Sequence, residues 1–264
     1  MSNPTGARLI VTGLVQGVGF RPFIYNLAKQ LNIRGWVRNT SDGVEICIDA
    51  DQDTLETFIA RIKEDSPPLS VINAIKVESC PRFNFSLFEI VPSKSVPNSI
   101  QPVSPDICIC EECLRELYDP SDRRFQYPFI NCTNCGPRFT IIKDLPYDRH
   151  MTTMEGFKLC SDCAREYSDP TDRRFHAQPV ACPVCGPHVW LESKDAQNRL
   201  LAASEGTFAI IAMQELLLSG QIGAIKGLGG FHLACDAENP FALEKLRQRK
   251  LRIDKPFEIG RAHV

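Results

Sequence analysis

No uninterrupted apolar run in this sequence approaches the roughly 20 residues that a membrane-spanning helix needs. The longest apolar stretch, around Phe208 to Leu218, is broken by Gln214 and Glu215. No membrane association is therefore expected. An excess of charge is missing too. Thirty Lys and Arg stand against 32 Asp and Glu, a net charge of −2, so no global basic field argues for nucleic acid. Met1 to Gly6 is polar and no apolar segment follows it, so no secretory signal is expected. The expectation is a cytoplasmic protein with one large or two small domains.

Cysteine, by contrast, is plentiful. Twelve are present, and in a reducing compartment they are expected as metal ligands or free thiols, not as disulfides. Eight follow a pattern. Cys110-x2-Cys113 and Cys132-x2-Cys135 are separated by eighteen residues, and Cys160-x2-Cys163 and Cys182-x2-Cys185 repeat that arrangement. The period is fifty residues and extends beyond the cysteines. Asp119-Pro120-x-Asp122-Arg123-Arg124-Phe125 maps to Asp169-Pro170-x-Asp172-Arg173-Arg174-Phe175. Each Cys-x2-Cys can form a knuckle supplying two thiolates to a tetrahedral ion, and paired knuckles at this spacing are a strong zinc signal. Two structural zinc ions are expected. An iron–sulfur cluster would favour a tighter cysteine run. Spacing alone leaves open whether the knuckles pair within or across the repeats. Cys47, Cys80, Cys108 and Cys235 are expected as free or buried thiols, with Cys108 a competitor of Cys110. His150, His176 and His188 are expected at the surface or behind the ligands. The Arg-Arg-Phe triplets sit beside aspartates, so they point to buttressing and not to nucleic acid.

The first 91 residues read as one domain. A strand over Arg8–Thr12 runs into the glycine turn Gly13 to Gly19, and Pro22 suits the first turn of the helix that follows. Gly35–Asn39 and Val44–Ile48 read as strands joined by a turn with an Asp-Gly pair. A helix capped by Asp51 or Asp53 follows, with Leu55, Phe58, Ile59 and Ile62 on one face. Strands near Val71–Glu78 and Phe85–Val91 complete an α+β, ferredoxin-like β-α-β-β-α-β order. The chemistry concentrates where the first strand becomes the helix. Gly17 and Gly19 permit positive φ and close approach. Loop amides and the helix start suit a dianion, and Arg21 can chelate a phosphoryl group.

Gly-x-Val-Gln-Gly-Val-Gly-Phe-Arg, followed by Gly35-Trp36-Val37-Arg38-Asn39-x2-Asp42-Gly43, resembles the two signatures of the acylphosphatase family. The resemblance implies a phosphate loop of Gln16, Gly17, Val18, Gly19 and Phe20. It also implies that Arg21 binds the phosphate and that Asn39 positions the attacking water.

Residues 92–107, with four prolines among serines, read as an extended tether between this domain and the cysteine module, 108–187. Beyond it, Leu200–Ser219 reads as an apolar helix stopped by Gly220, Gln221–Lys226 as a strand, Gly227–Leu233 as a flexible loop, and Asn239-Pro240 as a second helix start. Lys226-Gly-Leu-Gly-Gly-Phe-His and Lys250-x-Arg252-x2-Lys255-Pro256 resemble the opening of a YrdC-like domain over 200–264. In that family Lys226, Lys250, Arg252 and Lys255 would hold ATP, with Mg. The order of acylphosphatase, doubled four-cysteine module and YrdC-like domain resembles the HypF family of hydrogenase maturation carbamoyltransferases. That resemblance implies carbamoyl phosphate as substrate, ATP-dependent adenylation of carbamate, and transfer to a HypE-type partner. It marks the sequence as an N-terminal part of a longer protein. Glu258–Val264 departs from the family pattern, so His263 is not expected as a ligand. A zinc-stabilised binding or adaptor module with an inert acylphosphatase fold is the alternative.

Overall fold

The computed structural model describes residues 5–94, 103–194, 200–251 and 255–258. They divide into two compact units, with the boundary between Pro187 and His188. Among them, no helix is long and apolar enough to cross a membrane.

The first unit opens with β1 (Thr5–Leu14) and α1 (Phe20–Gln30). The hairpin β2 (Arg34–Thr40) and β3 (Gly43–Ala50) follows, then α2 (Gln52–Glu64), β4 (Val71–Cys80) and β5 (Phe88–Ile90). The sheet order is β4-β1-β3-β2-β5, the ferredoxin-like arrangement with a short parallel strand added beside β2. Alternation sets the core, because Val44, Ile46 and Ile48 on β3 pack with Leu9 and Val11 on β1. Ile24, Leu27, Phe58 and Ile62 come from the helices. The other face of β3 is polar. Buried Glu45 takes Arg8 and Arg38, each at 2.6 Å. Asp51 caps α2 by accepting from the Thr54 N–H at 2.9 Å, as its position predicts.

The cysteine module contributes two short helices, α3 (Glu111–Tyr118) and α4 (Ser161–Ser168), one per repeat. The loops after them are built alike. Asp119 Oδ1 accepts from Ser121 N at 2.9 Å, and Asp169 Oδ1 accepts from Thr171 N at 2.9 Å. Gln126 and His176 take matching left-handed conformations, at φ 52° and 53°.

The tether expectation needs correction where it can be described. The Val91 N–H donates to the Val37 carbonyl and that of Lys94 to the Asn39 carbonyl, so the chain continues alongside β2. Farther on, Ile107 pairs with Gly136, and the Asp106 carboxylate accepts from the Arg138 and Thr140 N–H groups. Backbone hydrogen bonds override what proline and serine content suggests.

The second unit holds β6 (Trp190–Lys194), β7 (Leu200–Glu205), α5 (Gly206–Leu218), β8 (Gly223–Lys226), β9 (Phe231–Ala234) and α6 (Pro240–Lys250). Two expectations fail here. Leu200–Glu205 is a strand paired with β6, not the first turns of a helix. Gly206, at φ 59°, donates to the Val189 carbonyl and separates strand from helix. Phe231–Leu233 lies in β9, so the glycine segment turns an antiparallel hairpin with Lys226 opposite Phe231. Only Ala209 of α5 is buried, although the helix is apolar on every side.

Candidate active site and metal centres

The eight patterned cysteines gather into two clusters, Cys110, Cys113, Cys132 and Cys135, and Cys160, Cys163, Cys182 and Cys185. Pairing is therefore within each repeat. Neighbouring sulfurs lie 3.5–3.8 Å apart in the first cluster. A tetrahedron with Zn–S bonds of about 2.3 Å has edges of about 3.8 Å, so both donor sets fit zinc. Cys108 belongs to neither cluster.

The Arg-Arg pairs cross between the repeats. Arg123 Nη2 donates to Cys163 Sγ at 3.0 Å, and Arg173 Nη2 donates to Cys113 Sγ at 3.1 Å. Arg124 pairs with Glu166 at 2.5 Å, and Arg174 pairs with Glu116. Arg124 Nε also donates to the Ala181 carbonyl, as Arg174 Nε does to that of Asn131. Each repeat's guanidinium groups thus face the other repeat's thiolates, which places positive charge beside sites that would carry a net negative charge when loaded.

In the loop expected to bind phosphate, Gly17 and Gly19 have φ values of 71° and 78°, in the left-handed region. A Cβ on Gly19 would sit 2.7 Å from Thr133 Cγ2, so glycine is required there twice over. Val18 and Phe20 point into the core, leaving only their backbone to the loop. Gln16 has another task. Its Nε2 donates to the Thr40 and Gly43 carbonyls at 2.6 and 2.9 Å, and its Oε1 accepts from Tyr147 N at 3.0 Å. Its side chain holds the β2–β3 turn and the wall of the pocket and is not free for a ligand.

Arg21 and Asn39 meet on one atom. Arg21 Nη2 and Asn39 Nδ2 both donate to the Tyr147 carbonyl oxygen, at 3.4 and 3.3 Å. Arg21 Nη1 lies 2.7 Å from Asp148 Oδ1 and 3.4 Å from Ser93 Oγ. Asn39 is only 1% exposed, and its Oδ1 has no partner among the described residues. A buried acceptor left open is costly unless something donates to it, and a water is the simplest donor.

The cysteine module closes this pocket. Thr133, Arg138, Tyr147, His176 and Gln178 line it opposite Gln16, Arg21 and Asn39. Arg138 is 2% exposed. Its Nε donates to the Gly17 carbonyl, while its other N–H groups bond the Thr133, Cys135 and Pro137 carbonyls. Arg149 fixes the segment carrying Tyr147 and Asp148. It donates to the Gln178 and Val180 carbonyls at 2.7 and 2.9 Å. Burial pulls the His176 imidazole down to about 4, with the Arg21 charge adding to the effect and Asp148 opposing it. Burial pushes the Tyr147 phenol up to about 12. His176, expected at the surface or behind the ligands, is a pocket residue instead.

In the second unit, Lys226 ends β8 with its Nζ 5.7 Å from the Phe231 ring centroid. Lys250 ends α6, and the Lys255 carbonyl accepts from Arg247 at 3.3 Å. Arg252 and His263 lie outside the described residues.

Comparisons with known proteins fall on the same segments. An acylphosphatase family model matches residues 7–90, and a model described as HypF finger matches 109–142 and 159–192. A third, described as telomere recombination, matches 215–263. A carbamoyltransferase HypF from Synechocystis is 53% identical over 94% of this chain, which covers 32% of that relative. An acylphosphatase from Pseudothermotoga lettingae is 41% identical over 31% of this chain and 92% of its own length. A crystal structure of full-length HypF in the phosphate- and nucleotide-bound form is similar with a TM-score of 0.87 and 47% identity. That match covers 97% of this chain and 33% of the solved one. The chain spans about a third of the length of the HypF relatives it matches.

Proposed function

The chain belongs to the HypF family, with an acylphosphatase domain at residues 7–90, and from that premise we propose that this domain hydrolyses carbamoyl phosphate. The observation carrying the proposal is the meeting of Arg21 and Asn39 on the Tyr147 carbonyl, beside a buried Oδ1 with an open acceptor position. Arg21 and the Gly17–Gly19 loop hold the phosphoryl oxygens. Asn39 Oδ1 accepts a hydrogen bond from water and aims its oxygen at phosphorus. As the new P–O bond forms, the bond to the carbamoyl oxygen breaks. Carbamate leaves with the electron pair, and the water proton passes to a phosphate oxygen. The leaving group is good, so positioning and charge stabilisation supply most of the barrier reduction.

The thiolates of the two cysteine clusters would hold zinc, which supplies folding energy and leaves no coordination position for substrate. The longer protein, in the cytoplasm, would adenylate carbamate with ATP and Mg and pass the carbamoyl group to the terminal cysteine of a HypE-type protein. Lys226, Lys250, Arg252 and Lys255 would contribute to the nucleotide site. The test is phosphate release from carbamoyl phosphate by this chain. Arg21→Ala should abolish it. Asn39→Ala should lower kcat by about 10²–10³-fold with little change in KM. Wild-type rates in Arg21→Ala would overturn the assignment.

A further inference from the structure

Both terminal nitrogens of the Arg21 guanidinium have partners within the protein. Nη1 faces the Asp148 carboxylate at 2.7 Å and Ser93 Oγ at 3.4 Å, and Nη2 faces the Tyr147 carbonyl at 3.4 Å. A phosphoryl group that seeks both terminal nitrogens of Arg21 must therefore displace these contacts. Asp148 is also unusual locally. It occupies the position before the short helical turn Arg149–Met151, where aspartate normally caps, yet its side chain makes no cap hydrogen bond. The carboxylate is turned to Arg21 instead. Both side chains are largely buried, 9% and 12% exposed, so the pair is shielded from solvent screening.

We propose that Asp148 is a displaceable counter-ion, an internal anion that a phosphoryl dianion must replace on Arg21 and that limits how tightly the site holds phosphate. The proposal rests on the reading of Arg21 as the phosphate ligand. A ligand that must first break an existing pair binds more weakly by the fraction of time the competent state is open. Substrate and free phosphate both meet this competition. Return of Asp148 to Arg21 then favours release of the inorganic phosphate product. Asp148 sets how tightly phosphoryl groups are held in this scheme and takes no part in bond making.

The test is calorimetric titration of the 264-residue chain with inorganic phosphate, together with inhibition of carbamoyl phosphate hydrolysis by phosphate. Asp148→Asn keeps the shape and removes the charge. It should bind phosphate about tenfold more tightly and show a lower KM. A purely structural role for Asp148 predicts weaker binding. Unchanged or weaker phosphate binding in Asp148→Asn and Asp148→Ser would overturn the proposal. So would a crystal of the wild-type chain with phosphate on Arg21 and the Arg21–Asp148 pair still closed. If Arg21→Ala binds phosphate as well as wild type does, the assignment of the phosphate site fails instead.

Discussion

Arg123 of the first repeat donates to the Sγ of Cys163 in the second, 3.0 Å away. Arg173 does the same toward Cys113. Neither repeat therefore completes its own surroundings, and the two four-cysteine clusters form one cooperative body. Glu166, beside Arg123 and the 1% exposed Arg124, is where this coupling is most sensitive.

Glu166→Gln should destabilise the first unit by about 3 kcal/mol, because it removes the only carboxylate paired with buried Arg124 among the described residues and leaves that charge to the Cys163 thiolate alone. Glu116→Gln should cost a similar amount, since Glu116 faces Arg173 and Arg174 in the same way. Denaturant unfolding at fixed zinc concentration measures both. A loss within experimental error of zero for Glu166→Gln would contradict the crossed arrangement.

Metal content should be two zinc equivalents per chain. Chelation should open residues 103–187 to proteases, because thiolates and arginines there have little other core to hold them. Residues 5–94 should remain protected, since their core of Leu9, Ile24, Ile46 and Phe58 contains none of the ligands. Elemental analysis and limited proteolysis with mass spectrometry read the two outcomes. Retention of an intact module without metal would refute the structural role.

His176 gives stability a pH dependence. Its folded-state value of about 4 lies below the ordinary 6.5, chiefly through burial and then through Arg21. The unfolded chain therefore binds the extra proton between these values. The contribution is intact above about pH 6.5 and is lost as pH falls toward 4. Between pH 7 and pH 5 the loss should be about 2 kcal/mol. His176→Gln removes this titration. Glutamine already occupies the equivalent left-handed position, Gln126, in the first repeat. Urea unfolding of both proteins at pH 7, 6 and 5 should show wild type weakening relative to the variant. Parallel curves would exclude the titration.

Locally encoded features were the readable ones. Gly17, Gly19 and Arg21 are close in sequence, and their residue types state their backbone and charge requirements. The cysteine spacing does the same for the clusters, and alternation over Val44–Ile48 exposed the sheet. What stayed hidden comes from distant contacts. Tyr147 serves the site through its main-chain oxygen, a group that every residue possesses. Asp148 looks like any loop aspartate until the fold brings it to Arg21. Gln16 was visible as part of the loop, but its use as a brace depends on Thr40, Gly43 and Tyr147. Leu200–Glu205 reads as helix from its residue types, but pairing with Trp190–Lys194 overrides that propensity.

The wall supplied by Thr133, Arg138, Tyr147 and Gln178 also imposes an order of assembly. A ribosome delivers residues 5–94 first, and their core can form as soon as they emerge. The chain must grow to about residue 179 before the last wall residues exist, on the order of ten seconds later at ordinary elongation rates. Until residue 148 has been made, the nascent domain carries Arg21 and Asn39 without Asp148 or the Tyr147 carbonyl. The site is thus made in two instalments, an open glycine loop early in synthesis and a walled pocket only after the second cysteine repeat has folded.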